Sequence, residues 1–192
     1  MKSAIRLVLP CLSLLAIQPI AAHSQPTSKT SYSYYAVSGK SLREIRNAMV
    51  SGGPSANGAK AYGVTSLMPG GKMSVASCRK SGRYSLDLKF VIRLPKASNT
   101  SGLSSTEVTQ LTKFVKFVKT HEETHRSMWM SYAIKYDRLL QNSQSQDCAA
   151  THAKAMVLWK QMLAAGRPDQ IAFDQAQRGP LETHPFIKLA AR

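Results

Sequence analysis

From residue 103 to residue 165 the chain contains neither glycine nor proline. A stretch that long, without the two residues that break helices, is strongly biased toward long helices. Val108, Leu111, Val115, Val118, Glu122, His125, Met128, Trp129, Tyr132, Tyr136, Leu139 and Leu140 recur at helical spacing and map to one broad stripe. The pattern predicts a first helix from about Thr106 to Gln141, capped by Ser105, and about 55 Å long at 1.5 Å per residue. Asn142–Asp147 is polar and reads as a turn. A second helix follows with Cys148, His152, Ala155, Met156, Trp159, Met162 and Leu163 on its inner side. Gly166-Arg167-Pro168 is expected to stop it, leaving a shorter helical piece over 169–177 and an irregular tail over 178–192.

The N-terminal half has a different character. Tyr32–Val37 reads as a strand, and Ser41 and Glu44 have capping-box spacing ahead of a short helix that Gly52-Gly53-Pro54 ends. Residues 55–72 look like loop with a short strand near Tyr62–Ser66, and Met73–Cys78 reads as a strand. Tyr84–Leu94 alternates strictly except at Val91, which predicts an antiparallel sheet with one wet face, ended by Pro95. Strands come first and helices last. The expected fold is therefore α+β, with a small antiparallel sheet and a short helix, then a long helical hairpin.

Lys2 and Arg6, the apolar run Leu7–Ile17, Pro19 and the small residues before Gln25 have the pattern of a secretory signal peptide. Cleavage after Ala22 and after Ser24 both fit, and Ser24 satisfies both small-residue positions. The run is too short to cross a bilayer, and no other stretch comes near the required length. The expected organisation is a signal peptide over 1–24 and one secreted domain over 25–192, periplasmic or extracellular. Cys78 and Cys148 remain after cleavage, and two cysteines in an oxidising compartment most simply form one disulfide. The formal charge is +16; losing Lys2 and Arg6 makes it +14. Secretion and the absence of nucleic-acid-binding motifs turn that charge away from nucleic acid. It points instead to a solvated basic face or to anionic envelope components.

His121-Glu122-Glu123-Thr124-His125 carries the chemistry. Two histidines four apart on a helix share one face and can bind one metal ion, with Zn²⁺ the expected cofactor. Glu122 is placed to take a proton from a water at the metal and to return it to a leaving amine. Met128 and Ser131 stand where a metzincin would have Gly and a third His, which excludes that subclass. The third ligand is open among His152, Asp174, Glu182 and His184. A hairpin turning near residue 145 sets His152 about 18 Å along the axis from the motif. The 169–184 segment is favoured, with His184 the better ligand type and Asp174 the better-placed helical residue.

Several further motifs resemble one bacterial family of predicted secreted zinc-dependent proteases, also catalogued as a domain of unknown function. They are Tyr34-Tyr35-Ala36-Val37-Ser38-Gly39-x-Ser41-x-x-Glu44-Ile45, Gly53-Pro54, Ala61-Tyr62-Gly63-x-Thr65, Cys78, Leu94-Pro95, the His121–His125 motif, Cys148 and Phe173-Asp174. The resemblance covers about residues 32–179. The family pattern continues after its late Asp with Thr and then His-Gly. Here the chain reads Asp174-Gln-Ala-Gln-Arg178-Gly179, which moves the histidine candidate on to His184. The resemblance implies a zinc peptidase acting on a protein or peptide substrate. The alternative is a non-catalytic envelope protein that keeps the scaffold and binds anionic surface components.

Overall fold

A computed structural model describes residues 25–56, 58–81 and 83–192. The expected signal peptide and its cleavage site lie outside the described residues. β1 (Thr27–Ser38) starts the sheet, and α1 (Leu42–Gly52) follows. Ser41 caps α1 by accepting the Glu44 N–H at 3.2 Å, while the Glu44 carboxylate accepts the Lys40 N–H at 2.7 Å. Leu42, Ile45 and Met49 form its buried face. β2 (Ser55–Ala56) and β3 (Ala59–Lys60) make a minimal ladder, and β4 (Val64–Pro69) follows.

Residues 75–81 form α2 (Val75–Ser81), not the expected strand. The Ser74 hydroxyl accepts the Ser77 N–H at 3.1 Å, a local bond that favours helix initiation over a ladder. α2 buries Cys78, which is bonded to Cys148 with a Cα–Cα separation of 5.7 Å.

β5 (Asp87–Asn99) is the central strand of a sheet ordered β1-β5-β4. Leu88, Phe90, Ile92 and Leu94 are fully or almost fully buried, as the alternation predicts. β4 and β5 run antiparallel, whereas β1 and β5 run parallel from Thr27↔Asp87 onward, so the sheet is mixed. The long connection from β1 to β5 through α1, β4 and α2 supplies the crossover that parallel pairing needs. Pro95 does not end β5. β4 pairs only up to Arg93, so β5 has β1 alone as neighbour at Pro95, and the missing N–H breaks no β4 bond.

α3 (Ser105–Gln141) starts with a full capping box between Ser104 and Glu107, one residue before the expected cap. α4 (Cys148–Thr183) runs straight past Gly166 and Pro168, where a stop was expected. Pro168 lies on the exposed face, as does Ala164, whose carbonyl loses its helical partner; water can satisfy it there. α5 (Pro185–Ala190) completes the chain, replacing the expected irregular tail.

The apolar interior forms two clusters. One joins β1, α1, β5, α5 and the first part of α3 through Tyr35, Ile45, Ile92, Phe114, Val118 and Phe186. The other joins β5, α2, the C-terminal half of α3 and the N-terminal half of α4 through Phe90, Cys78, Ala133, Leu140, Trp159 and Met162. On α3 the two meet across residues 119–132, so the His121–His125 motif stands in the gap between them. Among the described residues no helix is long and apolar enough to cross a membrane.

Candidate metal centre

α3 and α4 pack antiparallel, so that Trp129 meets Gly166, His125 meets Gln170 and His121 meets Asp174. Both helices step by four residues per pair, the spacing at which side chains on one face stack. A Cβ on Gly166 would stand 2.5 Å from Trp129 Cζ3, so the glycine expected to end the helix instead admits the indole ring.

Asp174 Oδ1 lies 3.1 Å from His121 Nε2 and 2.9 Å from His125 Nε2, and the two Nε2 atoms are 3.0 Å apart. His125 Nδ1 donates to Gln170 Oε1 at 2.5 Å. That bond puts the ring proton on Nδ1 and turns the Nε2 lone pair toward Asp174 and His121. Phe173 stacks on the His121 ring and meets His125 edge-on, with centroids 4.8 and 5.1 Å away. Burial first, and then the neighbouring His125, pushes His121 below its ordinary value of 6.5, with Asp174 acting in the opposite direction. The neutral imidazole so favoured is the form that binds metal.

Glu122 is only 4% exposed. Thr65 Oγ1 lies 2.9 Å from both Glu122 Oε2 and the Glu122 carbonyl oxygen, two acceptors for its one hydroxyl proton. A Cβ on Gly63 would approach Glu122 Oε1 and Cγ to 3.0 Å and Val118 Cγ1 to 2.8 Å, so the chain needs glycine there to reach the motif helix. Burial raises the Glu122 carboxyl above its ordinary value, and the Thr65 bond opposes it. A cavity of about 720 Å³ opens over the group, walled by Tyr62–Thr65 on the sheet side and by His121, Glu122, His125 and Asp174 on the helix side.

His184, expected as the third ligand, is not among the side chains that converge. It caps α5, its Nδ1 accepting the Phe186 N–H at 3.2 Å, and its ring packs on Phe114 and Phe117. The reason is the continuity of α4, which carries residue 184 some 15 Å along the axis beyond Asp174. His152, set aside on spacing, has its Nδ1 2.7 Å from the Tyr84 hydroxyl.

His121, His125 and Asp174 thus offer two imidazole nitrogens and one carboxylate oxygen within 4.8 Å of one another. Two imidazole nitrogens and a carboxylate oxygen that face one point suit a cation or a shared proton between them. Zinc is held by imidazole nitrogens and carboxylate oxygens, the donor set that these three side chains offer beside the cavity. The residues present therefore fit such an ion. Gln170, Thr65 and Gly63 were not singled out as supports of the site by sequence reasoning. Gln170 was findable in principle, lying four residues before Asp174 on the same face.

Neither a curated protein nor a solved structure matches the chain. Residues 32–181 match the family described as "Bacterial protein of unknown function (DUF922)", a span that holds the whole candidate centre, and the chain belongs to that family.

Proposed function

We propose that the protein is a secreted zinc-dependent peptidase, with His121, His125 and Asp174 holding the metal and Glu122 moving the proton. The observation that carries this reading is the convergence of His121 Nε2, His125 Nε2 and Asp174 Oδ1 beside a buried glutamate in an open cavity. Bound zinc supplies a Lewis acid that polarises a scissile carbonyl and acidifies a nearby water. Glu122 accepts the proton of the attacking water on its carboxylate and delivers it to the leaving amine. Thr65 holds the carboxylate in place through Oε2. Gln170 keeps the His125 proton on Nδ1, and the stacked Phe173 limits rotation of the His121 ring. Two imidazoles and one carboxylate also suit iron(II). The buried glutamate next to the pair is the feature that favours hydrolysis over oxygen chemistry. The Cys78–Cys148 disulfide supports an oxidising location.

The test compares the wild type with Glu122→Gln, both purified from an oxidising compartment. Both should hold one zinc per chain. Only the wild type should cleave a peptide substrate, with the variant slower by roughly 10²–10⁴-fold. Zinc in both with no cleavage by either would favour the non-catalytic envelope protein. Absence of zinc, or equal cleavage, would refute the reading.

A further inference from the structure

The cavity over the candidate centre is lined along much of the second half of α4. Its α4 wall extends from Arg167 to Leu181, about 21 Å at 1.5 Å per residue. The charged side chains lining it are Lys60, Arg167 and Arg178 against Glu122 and Asp174. Both acids belong to the centre itself. Lys60 Nζ donates to the Gly53 carbonyl oxygen at 3.3 Å. Arg167 and Arg178 are exposed and have no ion-pair partner among the described residues.

The two arginines bracket Asp174 at seven residues before and four after. Both offsets return to nearly the same face of a helix. Arg167 therefore stands about 10 Å to one side of Asp174 along the axis, and Arg178 about 6 Å to the other. An extended peptide advances about 3.3 Å per residue. Laid along the cavity, it would meet Arg167 about three residues from the reacting bond and Arg178 about two residues from it on the opposite side.

We propose that this cavity selects peptide segments with acidic side chains on both sides of the bond over the metal, recognised by Arg167 and Arg178. The inference rests on the peptidase reading for the identity of that bond, and on the lining alone for the preference. Guanidinium groups match carboxylates bidentately, and no further acid in the lining opposes such a ligand. The site-specific contacts then add to the attraction of a basic chain, whose formal charge of +16 becomes +14 without Lys2 and Arg6.

The experiment measures binding of two fluorescent peptides of about ten residues to the zinc-loaded Glu122→Gln protein. One carries Glu at the two flanking positions, and the other Gln. The acidic peptide should bind roughly three- to tenfold more tightly, and the ratio should shrink with salt. In Arg167→Gln/Arg178→Gln the ratio should fall toward one. In Arg167→Glu/Arg178→Glu a Lys-substituted peptide should become the preferred ligand. Arg138→Gln, at the far end of α3, should leave the ratio unchanged. A ratio that survives both arginine changes, or that Arg138→Gln lowers as much, overturns the proposal. Cleavage by the wild type is scored separately. Selective binding without cleavage refutes the peptidase reading and keeps the recognition, and cleavage without selectivity does the reverse.

Discussion

Asp174 Oδ1 lies 2.9 Å from His125 Nε2, a residue on the facing helix 49 positions earlier in the chain. With the His125 ring proton committed to Gln170, two lone pairs face each other at that distance. Such a contact is unfavourable unless a proton or a cation lies between them. The two helices hold it because Gly166 and Trp129, one turn further along, set how closely they approach.

Gln170 positions a ligand and touches no reacting atom. Its Oε1 accepts from His125, while its Nε2 is buried with no hydrogen-bond partner. Gln170→Leu should weaken zinc binding by roughly 10- to 100-fold, read by competition with a chromophoric chelator. Thermal stability of the metal-free protein should not fall, because the change also removes an unsatisfied buried donor. Gln170→Glu, which keeps the acceptor, should restore most of the affinity. Unchanged affinity in Gln170→Leu would show that His125 orients itself.

His184 caps α5 and packs on Phe114 and Phe117. His184→Ala should leave the zinc content unchanged and cost about 1–2 kcal/mol of stability, through the lost α5 cap and the ring packing on Phe114 and Phe117. A urea melt and a metal assay on one preparation separate the two effects. Loss of zinc would return His184 to the ligand set.

Asp137 gives the fold a pH signature away from the metal. It is 1% exposed, accepts the Leu86 N–H at 2.6 Å, and has no ion-pair partner among the described residues. Burial raises its carboxyl above the ordinary 3.8, with the Leu86 and Gln141 bonds acting the other way. The folded chain then holds the proton more tightly than the unfolded chain. This contribution to stability is fully present below 3.8 and is lost as pH rises through the higher folded value. Asp137→Asn keeps an acceptor for Leu86 and should remove that decline, seen as a flatter dependence of the urea midpoint on pH. An unchanged slope would assign the decline to other groups.

Much of this was legible in the sequence because it depends on local periodicity. The buried face of β5, the long α3 and the shared face of His121 and His125 follow from spacing alone. Three errors share another cause. Ser74 turns residues 75–81 into a helix, β1 joins β5 in parallel, and α4 continues through Gly166 and Pro168. In each, a hydrogen bond, a strand partner or an exposed position that periodicity does not register outweighs the pattern read from spacing. The third error had the largest effect. With α4 expected to stop at Gly166, Asp174 and His184 both stayed open as third ligand; the continuous helix brings Asp174 to the two histidines. Gly166 is where it is because of Trp129, 37 residues earlier, and one-dimensional spacing does not show that contact.

Zinc content of the Asp174→Ala protein tests the account most directly. Asp174 is partly exposed and its removal leaves both apolar clusters intact, so the variant should fold with its disulfide formed. Measured by plasma emission after dialysis against a weak chelator, the wild type should retain one zinc per chain and Asp174→Ala close to none. Equal zinc in the two proteins would contradict a centre built from His121, His125 and Asp174.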